Sequence, residues 1–119
     1  MVGIGGFLGA LARYALGSYI GGRYGARFPL GTFVINVSGS FLLGLVMVLL
    51  ARRTAGAYWV YLIPIGFIGA YTTFSTFEYE TLRAIQDGQV TTGLLNVGLS
   101  VGVGFVAVWA GAAIGRVLA

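Results

Sequence analysis

The chain has 119 residues, 58% of them hydrophobic and 8% charged, with a formal net charge of +4, against the roughly 25% charged residues of ordinary soluble domains. It contains no Cys, His or Lys, which excludes a thiolate nucleophile, an imidazole base, a Ser-Lys pair and a His/Cys metal site. The composition is that of an all-α integral membrane protein rather than an enzyme, and its seven scattered arginines form no stripe suited to nucleic acid.

Four apolar tracts of about 20 residues or more are each long enough to cross a bilayer as helix. The first, Val2 to Gly22, is interrupted only by Arg13. It follows Met1 without a basic leader, and although Ala10-Leu11-Ala12 resembles a signal cleavage site, it is expected to remain as a mature span. The second, Phe28 to Ala51, carries Thr32, Asn36, Ser40 and Gly44 at intervals of four, on one helix face. The third, Thr54 to Phe77, holds Pro64, Gly66 and Gly69 and then four hydroxyl side chains within Thr72 to Thr76. A break near the middle of this span is expected from the proline and glycines. Its freed carbonyls are suited to a hard cation. Phe74 and Phe77 share a face, and their positive ring edges beside hydroxyl donors suit a small anion. Glu78 and Glu80 lie two apart, which places them on different faces and argues against a paired-carboxylate site. The fourth tract, Gly88 to Gly115, repeats the polar stripe with Thr92, Asn96, Ser100 and Gly104. Two such stripes favour a polar passage over packing alone, because an unpaired Asn amide in hydrocarbon is costly. The tracts do not alternate in polarity as barrel strands do, so residues 1–119 are read as one helical membrane domain.

With four spans, Arg52, Arg53 and Arg116 fall on one side and Arg23, Arg27 and Arg83 on the other. This balance gives the positive-inside rule nothing to act on, and implies insertion in both orientations with antiparallel pairing. Small residues four apart, Gly5 with Gly9, Ser40 with Gly44, Gly98 with Gly102 and Gly111 with Gly115, allow helices to approach closely.

Three stretches, GFLGALARY (Gly6 to Tyr14), FPLGTFVINVSGSFLLG (Phe28 to Gly44) and GFIGAYTTFSTFEYET (Gly66 to Thr81), resemble successive signatures of the bacterial fluoride channels, the Fluc or CrcB family. The resemblance covers essentially the whole chain. It implies an antiparallel dual-topology dimer of four-helix subunits in the cytoplasmic membrane, exporting fluoride passively through two pores around a central structural sodium. By motif, Gly69 and Thr72 would offer backbone carbonyls to the sodium. Phe74 and Phe77 would be the ring pair that fluoride passes, Asn36 the pore-lining amide, Ser75 and Thr76 the polar track, Ser100 the fourth-span hydroxyl and Arg13 the cation of the aqueous vestibule. Glu80 matches a family carboxylate beyond the rings, and Thr73 and Asn96 are further candidates. Ala70 replaces a second glycine of many members, and Asn96 stands where some relatives carry a larger polar aromatic. The resemblance leaves open whether the partner is a second copy or a paired homologue.

The rival reading is a small dual-topology proton-coupled multidrug exporter, which requires a membrane-embedded titratable group. No carboxylate lies deep inside an uncharged tract of this sequence. A structural membrane subunit is the third reading, if the polar stripes serve packing only.

Overall fold

The structure is a computed structural model, and it describes residues 1–24, 27–52 and 56–119. Arg53, counted in the charge balance, and Thr54, the expected start of the third span, lie outside these residues. Helices α1 (Val2–Tyr24) and α2 (Leu30–Arg52) match the first two tracts. The third begins with α3 (Ala57–Val60), continues as a π-helix over Tyr61–Ile68, ends in the single turn α4 (Gly69–Tyr71), and resumes as α5 (Phe74–Gln86). Helix α6 (Val90–Leu118) forms the fourth.

Among the described residues, three helical segments are long and apolar enough to cross a membrane: Leu30–Arg52, Ala57–Gln86 and Val90–Leu118. Helix α1 has the length, 23 residues, but Arg13 and its many glycines and tyrosines dilute its apolar character. Its place beside the others comes from packing. Gly5 and Gly9 press against the π segment so closely that a Cβ at Gly9 would land on the Phe67 carbonyl oxygen. Helices α2 and α6 share the most extensive contact, and they run parallel. A Cβ at Gly44 would strike the Val108 carbonyl and one at Gly111 the Phe41 carbonyl. Arg52 Nη1 also donates to the Arg116 carbonyl at 3.3 Å, a cation placed where helix carbonyls lack partners. Gly98 and Gly102 meet nothing within 4 Å, so that expected contact is not made inside the chain.

The sequence argument placed the break by its proline and glycines, but the backbone turns extended at Thr72 (ψ 156°) and Thr73 (φ −148°, ψ 119°). Pro64 instead lies within the π-helix, whose wider i→i+5 pattern accommodates the missing donor and the ring that an α-helix rejects. Gly69 keeps helical angles (φ −61°, ψ −34°). Thr73 starts α5 as its N-cap, its side-chain oxygen accepting from Thr76 N–H at 3.3 Å. At the other end Gly88 adopts φ 80°, with Gly88 N–H bonded to Ile85 O and Gln89 N–H to Ala84 O. This closure turns the chain back so that α6 packs on α5.

Among the described residues few large apolar side chains are buried: Ile20, Ile35, Ile68, Tyr71 and Phe77. Large apolar residues are exposed along every long helix, as expected where hydrocarbon rather than a packed core receives them.

Candidate functional site

The extended residues Thr72 and Thr73 free backbone groups that hydrocarbon cannot satisfy, and each unpaired group would cost several kcal/mol. Asn36, one turn from Thr32 on α2, supplies both missing partners. Its Nδ2 donates to Thr73 O at 2.9 Å, and its Oδ1 accepts from Thr73 N–H at 2.8 Å. Nearby, the Tyr71 hydroxyl lies 2.8 Å from Ser38 Oγ, which donates to Ile35 O at 3.1 Å. Thr72 Oγ1 donates back to Ile68 O at 3.0 Å. The break is therefore held from α2 on both sides.

This arrangement removes the helical donors of the carbonyls of residues 69–72. In a continuous helix Thr73 N–H would serve Gly69 O and Thr76 N–H would serve Thr72 O. Here Thr73 N–H goes to Asn36 and Thr76 N–H to Thr73 Oγ1. Gly69 and Thr72, the two residues expected to present carbonyls to a cation, are thus the first and last of four successive residues, with Ala70 and Tyr71 between them, whose carbonyls lose their helical donors at the break. A hard cation accepts such oxygen ligands, and among the described residues no cluster of three or more His, Cys, Asp or Glu competes as a metal site.

Three cavities follow one another past the break. The largest, about 550 Å³, is lined by Arg27, Thr32, Glu80 and Arg83 among others. The next, about 290 Å³, shares Thr32 and adds Arg13, Thr73 and Thr76. The third, about 260 Å³, shares Thr73 and adds Asn36, Thr72, Phe74, Phe77 and Ser100. Thr32 thus borders the first two cavities and Thr73 the second and third. Arg13, Arg27 and Arg83 line the first two, and the Phe74 and Phe77 rings lie in the last.

The expected residues divide unevenly. Asn36, Phe74, Phe77 and Ser100 meet in one cavity, and Arg13, Thr73 and Thr76 in the adjoining one. Ser75 is exposed and belongs to neither. The Phe74 and Phe77 rings are 5.8 Å apart and tilted by 52°, but Phe77 is 6% exposed and Phe74 73%, so one chain covers only one ring of the pair. Thr73 Oγ1 donates to Thr76 Oγ1 at 3.0 Å, which leaves the Thr76 hydroxyl proton available. Asn96 is buried: its Nδ2 donates to Thr81 Oγ1 at 2.9 Å and its Oδ1 accepts from Ser100 at 3.2 Å.

Two expectations need correction. The amides of Asn36 and Asn96 are paired within the chain, so the inference of a polar passage from costly unpaired amides does not hold; the cavities carry that inference instead. Glu80 lies within the apolar segment Ala57–Gln86 and is half-buried, although its stretch of sequence is charged. Its Oε1 accepts from Thr32 Oγ1 at 2.9 Å, while Oε2 is buried without a partner among the described residues. The helix continues past Phe77, carrying Glu80 inward, because Thr73 restarts it. A Thr at N-cap ahead of a helical run is the signal that would have shown this. Ser38, Tyr71 and Thr81 were missed because their roles depend on partners in other helices or on the side chain of another helix reaching them.

The profile of the family described as CrcB-like protein, Camphor Resistance (CrcB), matches residues 1–112. A protein of Acidobacterium capsulatum named fluoride-specific ion channel FluC is 56% identical over 97% of this chain and 93% of that protein. Proteins of the same name from Solibacter usitatus and Sulfurihydrogenibium sp. are 50% and 38% identical, over 98% and 99% of this chain and 96% of each relative. On both the matched length and these identities, the chain belongs to the CrcB-like family.

Proposed function

We propose that the chain is a passive fluoride-selective channel of the cytoplasmic membrane, made of four spans per subunit and working as an antiparallel dual-topology dimer with two pores. The observation that carries this reading is the set of neighbouring cavities beside the broken third span, two lined by arginines and one by the Phe74 and Phe77 rings. Fluoride is small and strongly hydrated, so a narrow passage must replace its water with compact donors. Thr76 O–H, the second Nδ2 hydrogen of Asn36 and the ring edges of Phe74 and Phe77 supply such donors, and the amide end of α5 adds a favourable field. Arg13 lowers the electrostatic cost of an anion entering from the adjoining cavity. The exposed Phe74 ring supports the dimer, because a second copy would complete the aromatic passage. The balanced arginines support both insertion orientations. The relatives named as fluoride-specific channels support the same ion here.

A structural sodium would be held by the Gly69 and Thr72 carbonyls, whose helical donors are diverted. Bound there, it would contribute a fixed positive charge. The second reading, proton-coupled export, is favoured by one observation: the half-buried Glu80 with its unpartnered oxygen.

The test is fluoride efflux from liposomes, followed with a fluoride electrode. The channel reading expects efflux down the fluoride gradient alone, unchanged in direction by a pH gradient. Movement of a cationic drug driven by a proton gradient, without fluoride efflux, would replace it with the coupled multidrug-export reading, and well-folded protein that passes no fluoride would reject it.

A further inference from the structure

Among the described residues Asn96 is the largest fully buried side chain, 1% exposed, and it belongs to a hydrogen-bond chain whose direction can be derived. Thr81 Oγ1 donates its single hydrogen to Phe77 O at 2.8 Å. That oxygen can then only accept, so the Asn96 NH₂ must face it, at 2.9 Å. The amide orientation follows, and Oδ1 is turned toward Ser100, whose hydroxyl it holds at 3.2 Å. Ser100 lines the cavity that contains Phe74 and Phe77. With its hydrogen committed to Asn96, it offers that cavity lone pairs, which repel an anion.

The geometry points to Asn96 as a positioning residue that competes with the permeating anion for the Ser100 proton. This rests on the fluoride-channel reading and deepens it. Fluoride at Ser100 must turn the hydroxyl away from Oδ1, leaving a buried carbonyl without a donor. The competition weakens binding at this point and speeds departure, a condition for rapid conduction. Thr81 sets the competition from a distance because it fixes which end of the amide faces Ser100.

The experiment measures fluoride efflux against fluoride concentration for wild type, Thr81→Val, Ser100→Ala and the double variant. Thr81→Val keeps the shape but lets the amide turn, so that Nδ2 donates to Ser100 and the hydroxyl proton becomes free. The half-saturating fluoride concentration is expected to fall about three- to tenfold, the worth of one neutral hydrogen bond, with a lower maximal rate. Asn96→Leu, which removes the acceptor, repeats the fall and serves if Thr81→Val does not fold. In the Ser100→Ala background neither substitution changes half-saturation. If Asn96 only fastens α5 to α6, stability drops while half-saturation stays at the wild-type value. That result in a conducting protein, or an equal shift in the Ser100→Ala background, overturns this inference alone. A wild-type protein without fluoride efflux overturns it together with the channel reading.

Discussion

Asn36 and Thr73 face each other as a peptide group faces its neighbour in a sheet: one amide answers both the N–H and the C=O of a single backbone residue, at 2.8 and 2.9 Å. A membrane hydrogen bond of side chains contributes only about 0.6 kcal/mol on average, whereas each buried group left without a partner costs about 1–3 kcal/mol. The second figure governs here. Asn36→Leu orphans two groups and is expected to lower the unfolding free energy by about 2–6 kcal/mol on that basis, and to abolish efflux. Thermal unfolding in detergent checks the first expectation, and a variant as stable as wild type would show that Thr73 finds other partners.

The unequal exposure of the ring pair separates stability from conduction. Phe77, 6% exposed, is expected to lose about 3–5 kcal/mol on substitution by Ala. Phe74, 73% exposed in the single chain, is expected to lose little of the subunit's own stability. Replacement of either by Ile, which keeps bulk and removes the ring edge, is expected to slow efflux while the dimer persists. Undiminished efflux in both Ile variants would remove the rings from the pathway.

Exchange of sodium for a large organic cation during purification tests the carbonyl site. With Gly69 and Thr72 carbonyls deprived of their helical donors, the protein is expected to melt at lower temperature in sodium-free buffer and to recover on sodium addition. Equal melting in both buffers would rule out sodium as the structural ion.

Helix α1 depends on close approaches at Gly5 and Gly9. A Cβ at Gly9 would meet the Phe67 carbonyl, part of the π segment's backbone, which cannot rotate aside as a side chain can. Gly9→Val is expected to cost about 1–3 kcal/mol by overpacking. Gly21→Ala, where nothing lies within 4 Å, is expected to be neutral or slightly stabilising. Comparable losses in both variants would mean that α1 is held by something other than this contact.

Helix count, the interruption of the third span and the residues beside it were legible in the sequence, because apolar length, proline and hydroxyl clustering are local signals. The interruption's place near the middle of the span was legible too, but not which residues open. Pro64 and Gly69 are the residues that ordinarily disturb a helix, yet here the chain absorbs Pro64 in a wider winding and opens at two threonines, where Asn36 can reach from another helix. Distance along the chain hides such pairs: Thr32 meets Glu80 and Ser38 meets Tyr71. Asn96 was noticed as an unusual residue, but its partner Thr81 carried no signal of its own.

The opening at Thr72 and Thr73 sets the end of one helix against the start of another within two residues of extended chain. Electronegative oxygens terminate the first and electropositive amides begin the second, so a single interruption creates neighbouring regions of opposite polarity without a charged side chain. Such a pair is indivisible under point mutation: any substitution that restores the winding erases both regions together. Only reagents that act on one sign of charge, added from outside, can interrogate them separately.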